Sequence, residues 1–247
     1  MKIRLLYNKL AEAKYVAHLD LTRFLERALR RAGVPVARSQ GFNPHARISF
    51  GPPLAVGVEG LGEYADVEIQ SDGRLKPAAA AEQAVRALRA QMPPNISILD
   101  YCLLPPGAPA LTAIIDLACY LAWIPLREPR AEAELERALA DWLAQAEIMV
   151  VRTKEGGARP VSKNIRPFVR RLALRGAAAT GADGPGFGLE LEIGLSNAGS
   201  AKAAEVVRSL CAFAALPWEQ AGLSLVRTGL FAGGEKRLSP LLTPCPR

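Results

Sequence analysis

Residues 18–33, HLDLTRFLERALRRAG, carry the clearest helical pattern in the chain, and the other predicted elements follow outward from them. Apolar residues recur on one side at about 100° per residue, as in an amphipathic helix packed on a core. Asp20 is a predicted N-cap, and Gly33 is suited to end the helix because glycine adopts positive φ at little cost. The pattern therefore predicts a helix with a buried apolar face and a basic face in solvent. The basic face carries Arg23, Arg27, Arg30 and Arg31.

Strand patterns flank this helix and are followed by a second helical pattern. KIRLLY (2–7) precedes the helix, and YADVEIQ (64–70) alternates apolar and polar residues with the period of a half-buried strand. Apolar residues recur at helical spacing over 77–92, and NISILDYCLL (95–104) is typical of a strand. An extended segment after the first helix is interrupted by a polar loop. The predicted order is β-α-β-β-α-β, the ferredoxin-like arrangement.

The same order of elements recurs after PPGAP (105–109), a proline-rich break that marks a predicted boundary. The recurrence is one of element order and period, with little sequence identity between the halves. We therefore predict an α+β protein of two tandem ferredoxin-like halves, residues 1–106 and 107–247, the second with a basic hairpin and a short C-terminal tail. The second half is predicted to contain a strand over 112–124, a helix over 130–146, a basic and partly extended stretch over 147–175, a strand over 187–195, a helix over 200–215 and a strand over 224–231.

The positive charge of the chain is concentrated in one segment. Eight basic residues lie between Arg152 and Arg175 against Glu155 alone, so this segment carries the whole net charge of +7. Such a concentration attracts phosphate backbones or acidic protein surfaces. Lys163, Arg166 and Arg170 are the predicted contacts for a phosphate backbone. The alternative is a solvated charged edge that discourages sheet-to-sheet aggregation.

Cysteine and histidine usage argues against a metal centre. The four cysteines form no CxxC pair, and there are only two histidines, so we predict no metal and no cofactor. No run of about 18 apolar residues indicates a membrane helix, and the N-terminus lacks the apolar region of a signal peptide. A P-loop and a GxSxG motif are also missing from the sequence. We expect a cytoplasmic protein with no membrane partner.

The polar loop ARSQGFNPHARISF (37–50) combines three kinds of nucleic-acid-binding groups. Its basic side chains suit phosphate, its amides suit a base edge, and its rings suit base stacking. The alternative is an ordered hairpin whose Phe residues fill the core and whose Asn caps a turn. The basic side chains are Arg38, His45 and Arg47, the amides are Gln40 and Asn43, and the rings are Phe42 and Phe50.

Two further hypotheses concern this loop. Both halves place an insertion before their third strand, at 38–53 and at 152–171, and the two insertions would flank one cleft if the halves pack side by side. His45 is a candidate for the general base of a metal-independent ribonuclease, with an arginine to stabilise the phosphorane charge. No second acid is evident for that reaction. His18 and Asp20 could form an acid–base pair, although helix capping explains Asp20 more simply.

Within residues 15–69 the motifs HLDL, SQGFNPHARISF, PLAVGVE and GEYADVE follow in this order, and KNIRPFV (163–169) comes later. In these motifs the chain resembles the radical S-adenosylmethionine (SAM)-linked domain family of unknown function. Two positions depart from the family pattern: Ala46 follows the His where proline is common, and Asn164 stands where Asp is common. The altered turn residue could loosen the loop.

The family resemblance implies a partner and not the radical enzyme itself, because the chain has no Cys triad to hold an iron–sulfur cluster. Family genes often lie beside those of RNase E/G-type ribonucleases and ribosomal proteins, which implies a link to RNA. We therefore expect a non-catalytic RNA-binding module that acts with a radical SAM enzyme in RNA modification or metabolism. Arg23 and Arg27 would help to hold the RNA backbone. The alternatives are a protein-docking subunit without nucleic acid and the His45 ribonuclease.

Overall fold

The computed structural model describes residues 1–70, 73–153, 160–181 and 184–241 and shows an α+β fold. The predicted α+β class is confirmed. The helices are α1 (His18–Arg31), α2 (Pro77–Arg89), α3 (Leu111–Ile114), α4 (Glu132–Leu143) and α5 (Ala203–Phe213). The strands are β1 (Lys2–Lys9), β2 (Ile48–Phe50), β3 (Glu59–Glu68), β4 (Ile98–Leu104), β5 (Ile115–Pro125), β6 (Met149–Arg152), β7 (Val161–Asn164), β8 (Val169–Gly181), β9 (Gly184–Gly194) and β10 (Ser224–Ala232).

The chain forms two compact units that do not follow a single cut in the sequence. The first unit takes in Met1–Asp116 together with the described residues after Val226, and the second is Leu117–Val226. Residues from both ends of the chain therefore belong to the first unit. The predicted boundary at residues 106 and 107 stays a prediction, and the last six residues of the predicted tail lie outside the described residues.

The first unit is a sheet with α1 and α2 packed on its core face. β1 pairs antiparallel with both β3 and β4, β2 pairs antiparallel with β3, and β10 also lies beside β3. The element order predicted for the first half, β-α-β-β-α-β, is present over Lys2–Leu104. Its second strand, β2, lies within the stretch predicted to be the polar loop and not in the extended segments on either side of it. Apolar side chains of the two helices and of β1 and β3 form one core, because strand and helix each bury one face. Its centre includes Ile3, Leu5, Leu25, Leu29, Val67, Val85 and Leu88.

The ends of α1 show one confirmed expectation and one wrong one. Gly33 follows the helix with φ +68°, the left-handed conformation that glycine adopts easily, so its predicted role as the helix stop is confirmed. The predicted N-cap at Asp20 is wrong, because the helix begins two residues earlier and Ala17 is its N-cap. Asp20 lies in the first helical turn, where its negative charge still interacts favourably with the helix dipole.

The second unit pairs β9 antiparallel with β5 on one side and with β8 on the other, and β6 pairs with β7 in a separate two-stranded sheet. Trp142 of α4 is fully buried and donates its indole N–H to the Ser209 hydroxyl of α5 at 3.2 Å. The predicted strand at 112–124 begins later than expected, since Leu111–Ile114 form a short helical turn.

Candidate nucleic-acid interface

The polar loop is ordered at its base and protrudes at its tip. The Arg47 N–H donates to the Ala37 carbonyl at 2.8 Å, and the Ser39 N–H donates to the His45 carbonyl at 2.8 Å. The His45 N–H donates in turn to the Ser39 hydroxyl at 2.9 Å. These bonds close the chain into a narrow hairpin-like base. Residues 40–44 are held beyond it, and all five are exposed.

The two phenylalanines of the loop region have opposite surroundings. Phe50 is half-buried, with its ring edge-to-face against Tyr7 at 6.5 Å and against His18 at 5.1 Å between centroids. Phe42 is fully exposed at the loop tip. The interpretation that the phenylalanines fill the core therefore holds for Phe50 and fails for Phe42. Among the predicted ring contacts, Phe42 is the one presented to solvent.

The basic side chains of this region are engaged to different degrees. The Arg47 guanidinium donates to the Glu68 carboxylate at 3.0 Å, which balances much of its charge. Arg38 is exposed and makes a long hydrogen bond of 3.4 Å to the Pro44 carbonyl. On α1, Arg27 is exposed, and Arg23 lies 3.5 Å from the exposed Asp20 carboxylate. Exposed pairs of this kind hold a side chain weakly, so these arginines can still reorient toward a phosphate.

A groove joins the loop base to the C-terminal half of α1. Its volume is about 270 Å³. One acidic and two basic residues line it together with aliphatic ones. The lining includes Glu26 and Arg30 of α1, the Val34–Val36 segment and Arg38. Of the helix arginines, Arg30 therefore lines the same groove of the first unit as Arg38 of the loop base.

The predicted contacts of the basic segment lie in the second unit, and most of their side chains are engaged by other groups of that unit. The Arg166 guanidinium donates to the carbonyls of Leu143 at 2.9 Å and Val169 at 3.2 Å. The Lys163 ammonium lies 4.8 Å from the Phe168 ring centroid and donates to the Ala198 carbonyl at 3.2 Å. Arg170 is exposed.

The other arginines of this segment meet acids contributed by other elements. Arg152 forms a two-pronged pair with Glu205 of α5, at 2.9 and 2.7 Å. Burial acts to raise the pKa of Glu205, but the hydrogen bonds from Arg152 and from the Lys202 backbone N–H, together with the positive charges of both side chains, outweigh it. The pKa of Glu205 therefore lies below its ordinary value. On β8, Arg171 and Arg175 both pair with Glu190 of β9, at 3.2 Å. The remaining two cations of the segment, Lys154 and Arg159, lie outside the described residues.

The interface residues thus divide between the two units. Arg38–Arg47 belong to the first unit and Lys163–Arg170 to the second. The hypothesis that both insertions flank one cleft stays a prediction.

A buried ionic pair in the first unit was missed by the sequence reasoning. Glu63 and Arg227 are both buried and form a two-pronged ion pair, in which the Arg227 Nε donates to Glu63 at 2.8 Å. Arg227 also donates to the carbonyls of Pro52 and Pro53, at 2.8 and 3.3 Å. It therefore holds the chain just after β2, at the foot of the polar loop. The sequence signal was a carboxylate on the apolar face of the strand, since Glu63 alternates in step with Ala65 and Val67 and a buried charge needs a partner.

Three more charged side chains are buried on strands β1 and β3 of the first unit. Arg4 pairs with Asp66 at 2.7 and 2.9 Å, and both are buried. The Lys9 ammonium is buried and donates to the carbonyls of Val16 and Lys14. Burial lowers the pKa of Lys9 and outweighs the opposing effect of the Glu63 carboxylate. Because these groups are buried and already hydrogen-bonded, they support the fold and are not available to a ligand.

The described residues contain neither a grouped set of metal ligands nor a membrane-spanning helix. Within 1–70, 73–153, 160–181 and 184–241, no three His, Cys, Asp or Glu side chains are grouped to hold a metal ion. Over the same ranges, every helix is too short or too polar to cross a lipid bilayer.

The chain belongs to the family described as "Uncharacterized protein conserved in bacteria (DUF2344)", whose model matches residues 2–203. The resemblance to a family of unknown function is thereby confirmed, while association with a radical SAM enzyme stays a prediction. No curated protein sequence matches the chain.

Solved structures with a similar fold include a chain of a Cbf5-Nop10-Gar1 complex, with a TM-score of 0.52 and 9% identity. A chain of the archaeal box H/ACA sRNP Nop10-Cbf5 complex gives a TM-score of 0.46 and 10% identity. Each match covers 92% of this chain and 48% of the other, so the protein spans about half the length of these neighbours. Identity this low shows a likeness of fold alone.

Proposed function

We propose that this member of DUF2344 is an RNA-binding module without catalytic activity of its own, and that it presents RNA to a radical SAM enzyme in RNA modification or metabolism. The observation that carries the RNA-binding proposal is the fully exposed ring of Phe42 at the tip of an ordered loop. Beside it the exposed side chains of Gln40, Asn43 and His45 supply hydrogen-bonding groups. The tip thus combines a stacking surface with groups able to contact a base edge.

Phe42 is suited to stacking because the fold makes no use of its ring. A base stacked on an aromatic side chain gains about 1–3 kcal/mol in single-strand binders, whichever base is bound. The hydrogen bonds between Ala37 and Arg47 and between Ser39 and His45 hold the loop base in one shape. Less conformational freedom is then lost when RNA binds. A preformed loop with an exposed ring favours single-stranded or unpaired RNA over a duplex.

The cations around the loop supply the electrostatic part of the binding. Arg38 at the loop base and Arg27 and Arg23 on α1 belong to the same unit as Phe42, and all three are exposed. Each contact to a phosphate releases counterions, so affinity would fall steeply as salt is added. In the second unit, Lys163 and Arg170 are further proposed contacts for a phosphate backbone.

The partner, the location and the tandem arrangement each rest on a separate argument. The radical SAM partner is supported by the resemblance of residues 15–69 and 163–169 alone. A cytoplasmic location is proposed because that partner and RNA are found there. Tandem ferredoxin-like halves are supported by the strand order β4-β1-β3-β2 in the first unit and by β5-β9-β8 in the second, each with antiparallel neighbours.

The test is binding of labelled single-stranded RNA, followed by fluorescence anisotropy at several salt concentrations. Phe42→Ala should weaken binding about 5- to 150-fold, the loss of one stacked base. Phe213→Ala, which removes an exposed ring from the second unit, should bind as the wild type does. Urea unfolding of Phe42→Ala should match the wild type because the ring has no packing partners. No binding at micromolar protein, or equal binding by Phe42→Ala, would refute the proposal.

The same assay separates binding from cleavage. The recovered RNA should be intact, since we propose a module without its own chemistry. Cleavage by the wild type that is lost in His45→Ala, with binding retained, would instead establish the ribonuclease.

A protein-docking role is the second candidate, and the β6–β7 hairpin favours it. Met149 and Val151 on β6 and Val161 on β7 are all exposed, although apolar side chains of this size are usually buried. A partner with an apolar surface surrounded by acidic side chains would cover these three residues and form ion pairs with the basic side chains of the same segment. Purification from cells after nuclease treatment should then recover a radical SAM protein, and Val151→Asp should abolish its recovery. Recovery that depends on intact RNA would reject direct docking.

A further inference from the structure

The groove between α1 and the polar loop has the chemistry of a site for one nucleobase. Glu26 and Arg30 stand four residues apart on α1 and so project from the same side of the helix. Both line the groove, and Arg38 lines it from the loop base. The aliphatic Val34–Val36 segment also lines the groove, and its Pro35 is exposed and its Val36 half-buried.

The dimensions of the groove fit a single ring system. Its volume of about 270 Å³ is just below the range of about 300–1,000 Å³ that is usual for sites of larger ligands. A flat base can lie on the aliphatic segment, where it displaces water from apolar surface. The polar groups would then surround the edges of the base.

The polar groups match guanine in particular. The Watson–Crick edge of guanine carries two adjacent donors, N1–H and the N2 amino group, which a carboxylate such as Glu26 can accept together. The opposite edge carries the O6 and N7 acceptors, for which arginine is the commonest partner. Arg38 or Arg30 supplies that donor.

The other bases fit less well. Adenine and cytosine each offer one amino group beside a ring nitrogen that accepts hydrogen bonds. This nitrogen and the carboxylate are both acceptors, so they would repel each other. Uracil offers one donor between two carbonyl oxygens, which also repel a carboxylate. A buried or half-buried carboxylate left without its donors costs affinity, so the site would reject these bases as well as favour guanine.

We propose that this groove binds a guanine base of the RNA, with Glu26 reading its Watson–Crick edge and Arg38 or Arg30 contacting its other edge or its phosphate. The site rests on the RNA binding proposed above. It also sharpens that function, because stacking on Phe42 alone is tolerant of sequence. One base would bind by stacking at the loop tip and a nearby guanine by hydrogen bonding in the groove.

The test compares oligouridines that carry one central guanine, inosine or adenine. Inosine differs from guanine only in lacking the N2 amino group, so it removes one of the two donors to Glu26. Wild-type protein should bind the guanine oligomer at least about fivefold more tightly than the inosine oligomer, since a bidentate base contact contributes roughly 1–3 kcal/mol of discrimination. Glu26→Gln should bind the two oligomers with equal affinity.

The control is Glu82→Gln, which makes the same charge change on an exposed position of α2 in the same unit. It should keep the preference for guanine. If Glu26 acts only by its charge, Glu26→Gln would strengthen binding of all three oligomers alike and keep their ratios, which would overturn the proposal.

The remaining outcomes distinguish this site from the RNA-binding function itself. Tight binding of all three oligomers by the wild type, without preference, rejects the guanine site and leaves RNA binding in place. Failure to bind any oligomer rejects both. Binding of guanosine monophosphate that Glu26→Gln weakens, without binding of the oligomers, supports the groove as a guanine site and rejects RNA as its source.

Discussion

Arg38 and Arg166 both lie in polar stretches rich in basic residues, and the sequence predicts the same role for both. In the structure Arg38 is exposed at the base of a protruding loop, with one long hydrogen bond to Pro44. Arg166 is half-buried and donates to the carbonyls of Leu143 and Val169. The difference shows that a basic stretch in sequence becomes a basic surface only where the fold leaves its guanidinium groups to solvent.

Buried arginines extend this contrast to the interior of the first unit. Arg4 and Arg227 are buried with Asp66 and Glu63, and each also donates to backbone carbonyls. Their hydrogen bonds hold segments that are distant in sequence, including the described residues after Val226. Such a guanidinium stabilises the fold only while its partners are present, whereas an exposed one is available to a ligand.

The largest effect should come from Arg227→Met, which leaves the Glu63 carboxylate buried without its partner. We expect the free energy of unfolding to fall by about 3–5 kcal/mol, as for other buried ion pairs with one member removed. Urea unfolding followed by circular dichroism measures the loss. Arg27→Met, at an exposed position of α1, should change the same quantity by less than about 0.5 kcal/mol.

A second variant separates pairing from simple loss of packing. Arg227→Met combined with Glu63→Leu removes both charges and should recover most of the lost stability, because an apolar pair of similar volume is often as stable as a buried ion pair. If the double variant were as unstable as Arg227→Met, the hydrogen bonds to Pro52 and Pro53 would be the more important contribution.

Periodicity predicted most of the first unit because local and long-range preferences agree there. The apolar spacing of α1 and the alternation of YADVEIQ each require one buried face, and the structure buries both in one core. Asp20 illustrates the limit at helix ends, where a capping residue type also occurs within the first turn. The inclusion of Arg227 in the first unit could not be predicted, because it depends on a pair formed between residues 164 positions apart.

The sequence predicted which residue types form the interface, but it predicted less well what surrounds each side chain. Loop composition indicated exposed polar groups, and Gln40, Phe42 and Asn43 are indeed exposed. Composition could not distinguish Phe42 from Phe50, since both are followed closely by turn-forming residues. Nor could a count of charges along residues 152–175 include Glu190 or Glu205, which reach those arginines only in the folded chain.

A smaller effect is expected for Arg166→Met in the second unit. The carbonyls of Leu143 and Val169 would lose their charged donor, and hydrogen bonds to charged groups contribute about 1.5–3 kcal/mol. We expect the free energy of unfolding to fall by about that amount. Arg170→Met should leave stability unchanged and weaken RNA binding. The reverse result, with Arg170 stabilising the fold and Arg166 binding RNA, would remove the contrast between engaged and available arginines.

The smallest effect should be seen in the pH dependence of the Arg152–Glu205 pair. The folded-state pKa of Glu205 lies below its ordinary value of 4.5, so the unfolded chain takes up a proton first as the pH falls. The pair therefore stabilises the protein fully above about pH 5, and this contribution is lost as the pH falls through the folded-state pKa. Between pH 6 and pH 3, Arg152→Met should lose about 1 kcal/mol less stability than the wild type, because its Glu205 has no guanidinium partner to lose. Arg175→Met, which breaks a more exposed pair with Glu190, should follow the wild-type curve. Parallel curves for the wild type and Arg152→Met would mean that Arg152 is not held by Glu205 and is available to a ligand, as Arg38 is.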